Sequence, residues 1–372
     1  MPSSLISTFG KKCLGIDIGT DSIKIVEIAK FRKKNYLQNY AQYTLIDDKD
    51  FKIYEPENSL PNVEKVSEIL EAALWKANIK EKKVFFSIPD FSTLFLLFDL
   101  PPMIEKDIPS SVDFEAKHQI PLPLSEVVYD WTVISKEKIG PALKTKVLLV
   151  VVPKKVLEAF QKIATICNLE IIGMEAEIFA LTKLFSQNIN DKKNKVSENK
   201  IFCILDIGSK STVLSLIGEN NSILSSYSLD FGSLILSNQI SEGLQVSLKE
   251  AKEILKNKGF LFEKKDIVEI FKILIFKFSK EVTKIITEFN NKNEKKCEKI
   301  IFSGGSILIP GFIENLKENL KNNLGTIDIE VIDPFKKIIT PKVINEYLKK
   351  IGPLFSSAAG LSLTGLEYLE YI

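Results

Sequence analysis

Two stretches of the chain repeat one arrangement of small, acidic and hydroxyl residues. Gly15-Ile16-Asp17-Ile18-Gly19-Thr20-Asp21-Ser22 shares its layout with Ile204-Leu205-Asp206-Ile207-Gly208-Ser209-Lys210-Ser211. Each copy begins as an apolar strand and turns at a glycine followed by a hydroxyl residue. Each carries Asp two residues before that glycine. A tight hairpin of this kind points successive backbone amides into one concavity, which favours phosphate oxygens. Gly19, and Gly208 in the second copy, lack the Cβ that would obstruct a close approach. Thr20 and Ser22 add hydroxyl donors, and Lys24 supplies a mobile positive charge just beyond the turn. Carboxylates facing phosphates would be repelled without a metal between them. Asp17 and Asp206 therefore predict Mg, held mostly through waters, beside a polyanion such as ATP.

A third element completes the set. The strand ending at Phe302-Ser303 runs into Gly304-Gly305-Ser306, and a helix begins after Pro310-Gly311. Backbone without side chains there can lie flat against a planar base or a ribose. One Asp-x-Gly hairpin alone reads as an ordinary turn. Two copies together with this loop make a specific pattern.

These residues require particular elements to position them. After each hairpin turn a second strand follows, Ile23–Ala29 or Thr212–Ile217, and then a third, near Tyr36–Leu45 or Ser222–Leu229. Two such units in one chain predict two lobes of related plan. Between them, Asn62 reads as the cap of a helix whose apolar residues Val63, Val66, Ile69, Leu70, Ala73 and Leu74 fall at helical spacing. Strands follow at Val84–Ile88, Leu94–Leu100, Val127–Ile134, Lys146–Val152 and Leu169–Met174. Helices are expected up to His118 and over Val156–Asn168 and Glu175–Phe185, with a polar linker over Asn188–Lys200. In the second lobe, helices are expected over Ser233–Val246, Lys249–Lys256, Lys265–Asn290 and Phe312–Asn323. A final helix near Phe355–Leu366 is expected to close that lobe. The expected division is 1–91 for the first lobe, 92–172 for an α+β insertion on it, and 173–199 for a connecting helix and linker. The second lobe takes 200–232 and 299–372, with a helical insertion at 233–298.

On these motifs the chain resembles the superfamily of actins, heat-shock chaperones and sugar kinases. Asp17–Lys24 is similar to its first phosphate motif, Asp206–Thr212 to its second, and Ser303–Gly311 to its adenosine motif. The resemblance implies an α/β, actin-like (ribonuclease H-like) two-lobe fold whose hairpins clamp the phosphates of Mg-ATP in a cleft that opens and closes. It implies cofactor contacts from Asp17, Gly19, Thr20, Asp21, Ser22 and Lys24, and from Asp206, Gly208, Ser209, Lys210 and Ser211. It adds Gly232, Glu253, Gly304, Gly305 and Ser306. For the ribose the family often has Glu beside Ala; here Ala251 is followed by Lys252 and then Glu253, and which of the two reaches the sugar stays open. Glu177 stands where the superfamily often positions the attacking water. A Glu at a helix N-terminus is equally explained by the helix dipole.

Within that superfamily, Glu115-Ala116-Lys117-His118-Gln119-Ile120-Pro121-Leu122-Pro123-Leu124 and Tyr129-Asp130-Trp131 resemble the PilM family of type IV pilus assembly proteins. So do Leu14–Ile28, Leu100-Pro101 and Ala358-Ala359-Gly360-Leu361-Ser362-Leu363. This branch is similar to the division protein FtsA and has an extra subdomain beside the first lobe. The resemblance implies an ATP-binding component of the inner-membrane pilus platform, with slow or absent ATP turnover. Its partners would be the cytoplasmic tail of a PilN-like membrane protein and other platform proteins. Leu94–Phe98 and the Ile120–Leu124 turn are the expected walls of the groove for that tail. The alternative is an FtsA-like protein that self-associates into ATP-dependent filaments. A sugar-kinase role would need a hydroxyl-activating Asp and a polyol pocket, for which no polar constellation stands out.

Composition bounds these readings. Lys and Arg number 50 against 48 Asp and Glu, too even for a nucleic-acid footprint. The four cysteines lie far apart in sequence and form no metal signature, and His118 is the one histidine. No apolar run approaches the about 18–20 residues that span a bilayer. Met1–Lys12 has no apolar core of a secretory signal. The expectation is a cytoplasmic protein that meets the membrane only through a partner.

Overall fold

The computed structural model describes residues 10–44, 52–55, 59–189, 200–218, 222–293 and 296–371. Most of the expected linker, 190–199, lies outside the described residues. The first sheet is built on β1 (Lys11–Ile18), β2 (Ser22–Phe31) and β3 (Lys34–Thr44), an antiparallel meander. Next to β1 run β4 (Lys83–Ile88) and then β8 (Glu170–Ala176), both parallel to it. The second sheet repeats this plan. β9 (Lys200–Ile207), β10 (Thr212–Ile217) and β11 (Ile223–Leu229) form its meander. β12 (Lys296–Ser303) and β13 (Asp328–Val331) add in parallel beside β9. The strand orders β3-β2-β1-β4-β8 and β11-β10-β9-β12-β13 are thus equivalent, and β14 (Ile338–Ile339) extends the first sheet beyond β3.

Hydrophobic pattern explains how helices cover these sheets. Helix α1 (Val63–Lys76) starts where the Asn62 side chain accepts a hydrogen bond from the Lys65 amide at 3.1 Å. Its buried stripe Val66, Ile69, Leu70, Ala73 packs on Leu14, Ile16, Ile25 and Phe86. A third sheet, β5-β7-β6, is made by β5 (Leu94–Met103), β6 (Val127–Ile139) and β7 (Ala142–Pro153), and helix α2 (Ile108–Gln119) packs against it. Helix α3 (Lys154–Ile166) and β8 were expected within the insertion at 92–172. Instead α3 shares a core with α1, and β8 pairs with β4. The reason is that α3 links the insertion back to a strand buried in the first sheet.

Helix α4 (Glu177–Ile189) connects the lobes. It begins two residues later than expected, because Glu175 and Ala176 are the last residues of β8. The second lobe carries α5 (Ser233–Leu244), α6 (Leu248–Lys258) and α7 (Lys265–Asn293). With α8 (Phe312–Leu324) they bury Phe231, Phe271, Phe278, Phe302 and Phe312 in one core. After the short α9 (Asn345–Ile351), α10 (Ser356–Tyr371) does not close the second lobe as expected. It packs with Cys13, Val26, Ile28, Ala180 and Leu181, in a core that also takes in Phe202, Ile204 and Ile301 of the second sheet. Small residues permit this return. A Cβ on Gly15 would sit 1.9 Å from the Ala358 carbonyl oxygen, and one on Gly360 would sit 2.2 Å from that of Ala180. Among the described residues no helix is long and apolar enough to cross a membrane. All four cysteines are buried and unpaired.

Candidate functional site

The register of β1 and β2 sets Lys24 directly opposite Asp17. Lys24 Nζ donates to Asp17 Oδ2 at 2.9 Å, and the Ser87 hydroxyl donates to Asp17 Oδ1 at 2.9 Å. Burial alone would lower the Lys24 pKa, but Asp17, with Glu177 and Asp206 beyond it, raises it. Lys24 therefore stays charged. The turn between the strands closes through the Gly19 amide, which donates to the Ser22 carbonyl at 3.0 Å. The second hairpin closes identically: the Gly208 amide donates to the Ser211 carbonyl at 3.0 Å. The sequence repeat is thus a repeat of geometry. One difference is that Val213, not a lysine, stands opposite Asp206.

The two turns face each other across a cleft of about 390 Å³. Asp17, Gly19, Thr20, Asp21, Ser22 and Lys24 line it from one side, and Asp206, Gly208, Ser209, Lys210 and Ser211 from the other. Glu177, the first residue of α4, lies between them. Burial pushes its carboxyl well above the usual range, and Asp17 and Asp90 add to that. Asp206 is raised in the same way, by burial first and then by Asp17.

Gly304, Gly305 and Ser306 also line the cleft. Gly304 has φ +95°, and a Cβ there would lie 2.4 Å from the Ile207 carbonyl oxygen, so only glycine fits beside the second hairpin. Ser306 is 2% exposed and braces that hairpin: its hydroxyl donates to the Gly208 carbonyl at 2.5 Å and accepts from the Ser233 amide at 3.1 Å. Gly232 lies beneath the same turn, where a Cβ would be 2.2 Å from the Ser209 carbonyl oxygen. It supports the hairpin and is not among the residues lining the cleft. Glu253 and Lys252 both line the cleft from α6. Lys252 pairs with Asp21 at 2.5 Å, an ion pair that joins the two lobes at the cleft.

Sequence reasoning passed over Asp90 and Ser87. Ser87 is completely buried behind Asp17. Asp90 lies in the cleft just past β4, with a pKa raised to about 8 by burial and then by Asp206. The Ile178 and Glu177 amides are near enough to lower it but make no hydrogen bond of ordinary geometry to it. The signal that could have found it is position. Sites gather past the carboxyl ends of parallel strands, and β4 is such a strand.

These donors suit a metal-bound polyphosphate. Gly304 lets the loop lie directly on the second hairpin, paired turns border the cleft, and Asp90 presents two buried oxygens with no hydrogen bond of ordinary geometry. Among the described residues no three acidic, cysteine or histidine groups converge closely enough to bind a bare ion.

A second concavity, of about 440 Å³, lies where the insertion meets the second lobe. Phe95, Leu97 and Leu148 form one wall, and Leu224, Tyr227 and Phe289 the other, with Lys146 and Lys292 beside them. The expected wall Leu94–Phe98 divides by strand alternation. Phe95 and Leu97 face this groove, whereas Leu94, Leu96 and Phe98 pack on the insertion's own core. Ile120 and Leu124 belong to that same core. They do not line the groove.

A family model for the type IV pilus assembly protein PilM matches residues 15–366. The chain belongs to the PilM family. Among solved structures, a PilM-PilN type IV pilus biogenesis complex is similar over 95% of this chain and 98% of its own, with a TM-score of 0.79 at 19% identity. The ethanolamine utilization protein EutJ from Carboxydothermus hydrogenoformans matches with a TM-score of 0.56 at 14% identity, covering 95% of this chain and 89% of its own. The MamK double helical filament matches with a TM-score of 0.52 at 13% identity, covering 97% and 99%. These likenesses show the actin-like fold of this PilM-family chain.

Proposed function

We propose that this PilM-family chain is an ATP-binding component of a pilus assembly platform that docks an extended segment of a PilN-like membrane protein. The observation carrying the nucleotide half is the pair of equivalent glycine turns that face one cleft with Gly304 and Gly305 at its wall. In this reading the turn amides and Lys24 bind phosphate oxygens, and Asp17 and Asp206 orient the waters of Mg from opposite lobes. The Gly304–Gly305 backbone lies against the nucleoside. Family membership and the solved PilM-PilN relative support the partner. The groove between β5 and β11 is the proposed seat of its tail. Each of these strands has one neighbour in its sheet and so an open edge to pair with a peptide.

Titration calorimetry with Mg-ATP tests the cleft. Asp17→Ala and Asp206→Ala should each lose Mg-dependent binding by at least about tenfold, the scale at which outer ligands act on a metal, while keeping their unfolding transition. Unchanged Mg-ATP affinity in both variants would refute the two-hairpin clamp. Filament formation is the competing role that the fold permits. Sedimentable polymer with Mg-ATP would favour it, and its absence over a broad range of protein concentration would count against it.

A further inference from the structure

The motifs of the cleft leave Asp90 without a task. It opens a tight turn, Asp90–Ser92, that is fixed on both sides. The Ser92 amide donates to the Pro89 carbonyl at 2.9 Å, the Thr93 amide to the Asp90 carbonyl at 3.1 Å, and the Thr93 hydroxyl to the Pro89 carbonyl at 3.1 Å. The side chain is 8% exposed, yet it borders the same cleft as Asp17, Glu177 and Asp206. Neither of its oxygens makes a hydrogen bond of ordinary geometry, and the donors that approach it are the Ile178 and Glu177 amides at the start of α4. A carboxylate so buried is unfavourable unless donors or positive charge reach it.

No lysine of the cleft hydrogen-bonds to Asp90. Lys24 is paired with Asp17 at 2.9 Å and Lys252 with Asp21 at 2.5 Å, while Lys210, Lys249 and Lys256 also line the cleft. Four acidic side chains, Asp17, Asp90, Glu177 and Asp206, therefore border a cleft whose innermost ammonium is already engaged. A polyphosphate added to that cleft raises the demand for positive charge further. The group that answers both needs is a hydrated divalent cation. It brings charge, and its bound waters are donors that match two oxygens with no hydrogen bond of ordinary geometry.

We propose that Asp90 is a third outer-sphere carboxylate of the cation site, accepting hydrogen bonds from water on the ion that Asp17 and Asp206 hold from the two lobes. The proposal rests on the nucleotide reading above and adds to it a residue that neither hairpin contains. Asp90 positions the hydrated ion and makes no direct bond to it. The rigid turn after β4 keeps the carboxylate in place before the ion arrives.

The test uses the full chain with a fluorescent ATP analogue, titrated with free Mg²⁺ and separately with Mn²⁺ followed by electron paramagnetic resonance. Asp90→Asn keeps the shape and removes the charge. It should not weaken metal-free nucleotide binding, since it removes a carboxylate from beside the phosphates, yet it should require roughly tenfold more free Mg²⁺ or Mn²⁺, the effect expected of an outer-sphere partner. Asp90→Ser, smaller and also neutral, should shift in the same direction if the Asn variant folds poorly. Wild-type cation dependence in a folded Asp90→Asn protein would overturn the proposal. So would an equal loss of metal-free and metal-bound nucleotide, which would assign Asp90 to hairpin packing. A wild-type protein that binds no nucleotide at any Mg²⁺ concentration would overturn the nucleotide reading and this proposal together.

Discussion

At the end of β8 the Glu175 carboxyl accepts a hydrogen bond from the Thr364 hydroxyl at 3.0 Å, and its pKa is pushed up to about 7, chiefly by burial. The ordinary value is 4.5. A folded pKa above the unfolded one contributes stability that is fully present below about 4.5 and is lost as pH rises through about 7. Glu175→Gln removes this contribution and keeps the acceptor for Thr364. Urea unfolding should give similar stability for variant and wild type near pH 4.5. Toward pH 8 the variant should gain, by at most about 3 kcal/mol at 1.36 kcal/mol per pKa unit. A stability difference independent of pH would contradict that assignment. At this scale the sequence was informative where residues repeat. Asp17 and Asp206 identify each other, and Gly19 identifies Gly208. Asp90 has no counterpart to reveal it, and its significance comes from burial that no local pattern records. Glu177 begins α4 and borders the cleft, which is where each of its two sequence readings requires it to be, and this placement does not choose between them.

Among elements, the hairpins were legible because a glycine turn and strand alternation are local signals. The helices of the second lobe were too, because their apolar spacing is local. The placement of β8 and α10 was not. A parallel strand paired across some eighty residues, or a terminal helix returning to the first lobe, leaves no periodicity to read. What records the return of α10 is a set of small residues whose purpose emerges only in three dimensions. Gly360 packs on the Ala180 backbone of α4, and Gly15 on that of Ala358. Gly360→Ala adds a methyl group where the nearest atom would be a backbone oxygen at 2.2 Å. Overpacking of this kind typically costs about 1–3 kcal/mol, so the urea midpoint should fall with the unfolding slope unchanged. An unaltered midpoint would mean that α10 can shift away freely. The Asp21–Lys252 pair, 27% exposed on each side, ties the first hairpin to α6 and adds at most about 1 kcal/mol to cleft closure.

For the whole molecule, the proposed function makes the cleft between the equivalent sheets the place where lobe movement and nucleotide would meet. The insertion touches the second lobe through the groove between β5 and β11, so a ligand that changes the angle between the lobes also changes that groove. Linkage then requires that nucleotide and partner alter each other's affinity by the same factor. The most direct measurement of the account is the anisotropy of a labelled PilN-like cytoplasmic tail peptide, titrated with the protein in the presence and absence of Mg-ATP. The account predicts saturable binding whose affinity changes with Mg-ATP, and loss of that binding in Leu97→Asp while Mg-ATP affinity without peptide is retained. Tail binding unaffected by Mg-ATP, or no tail binding by a protein that still binds ATP, would contradict it.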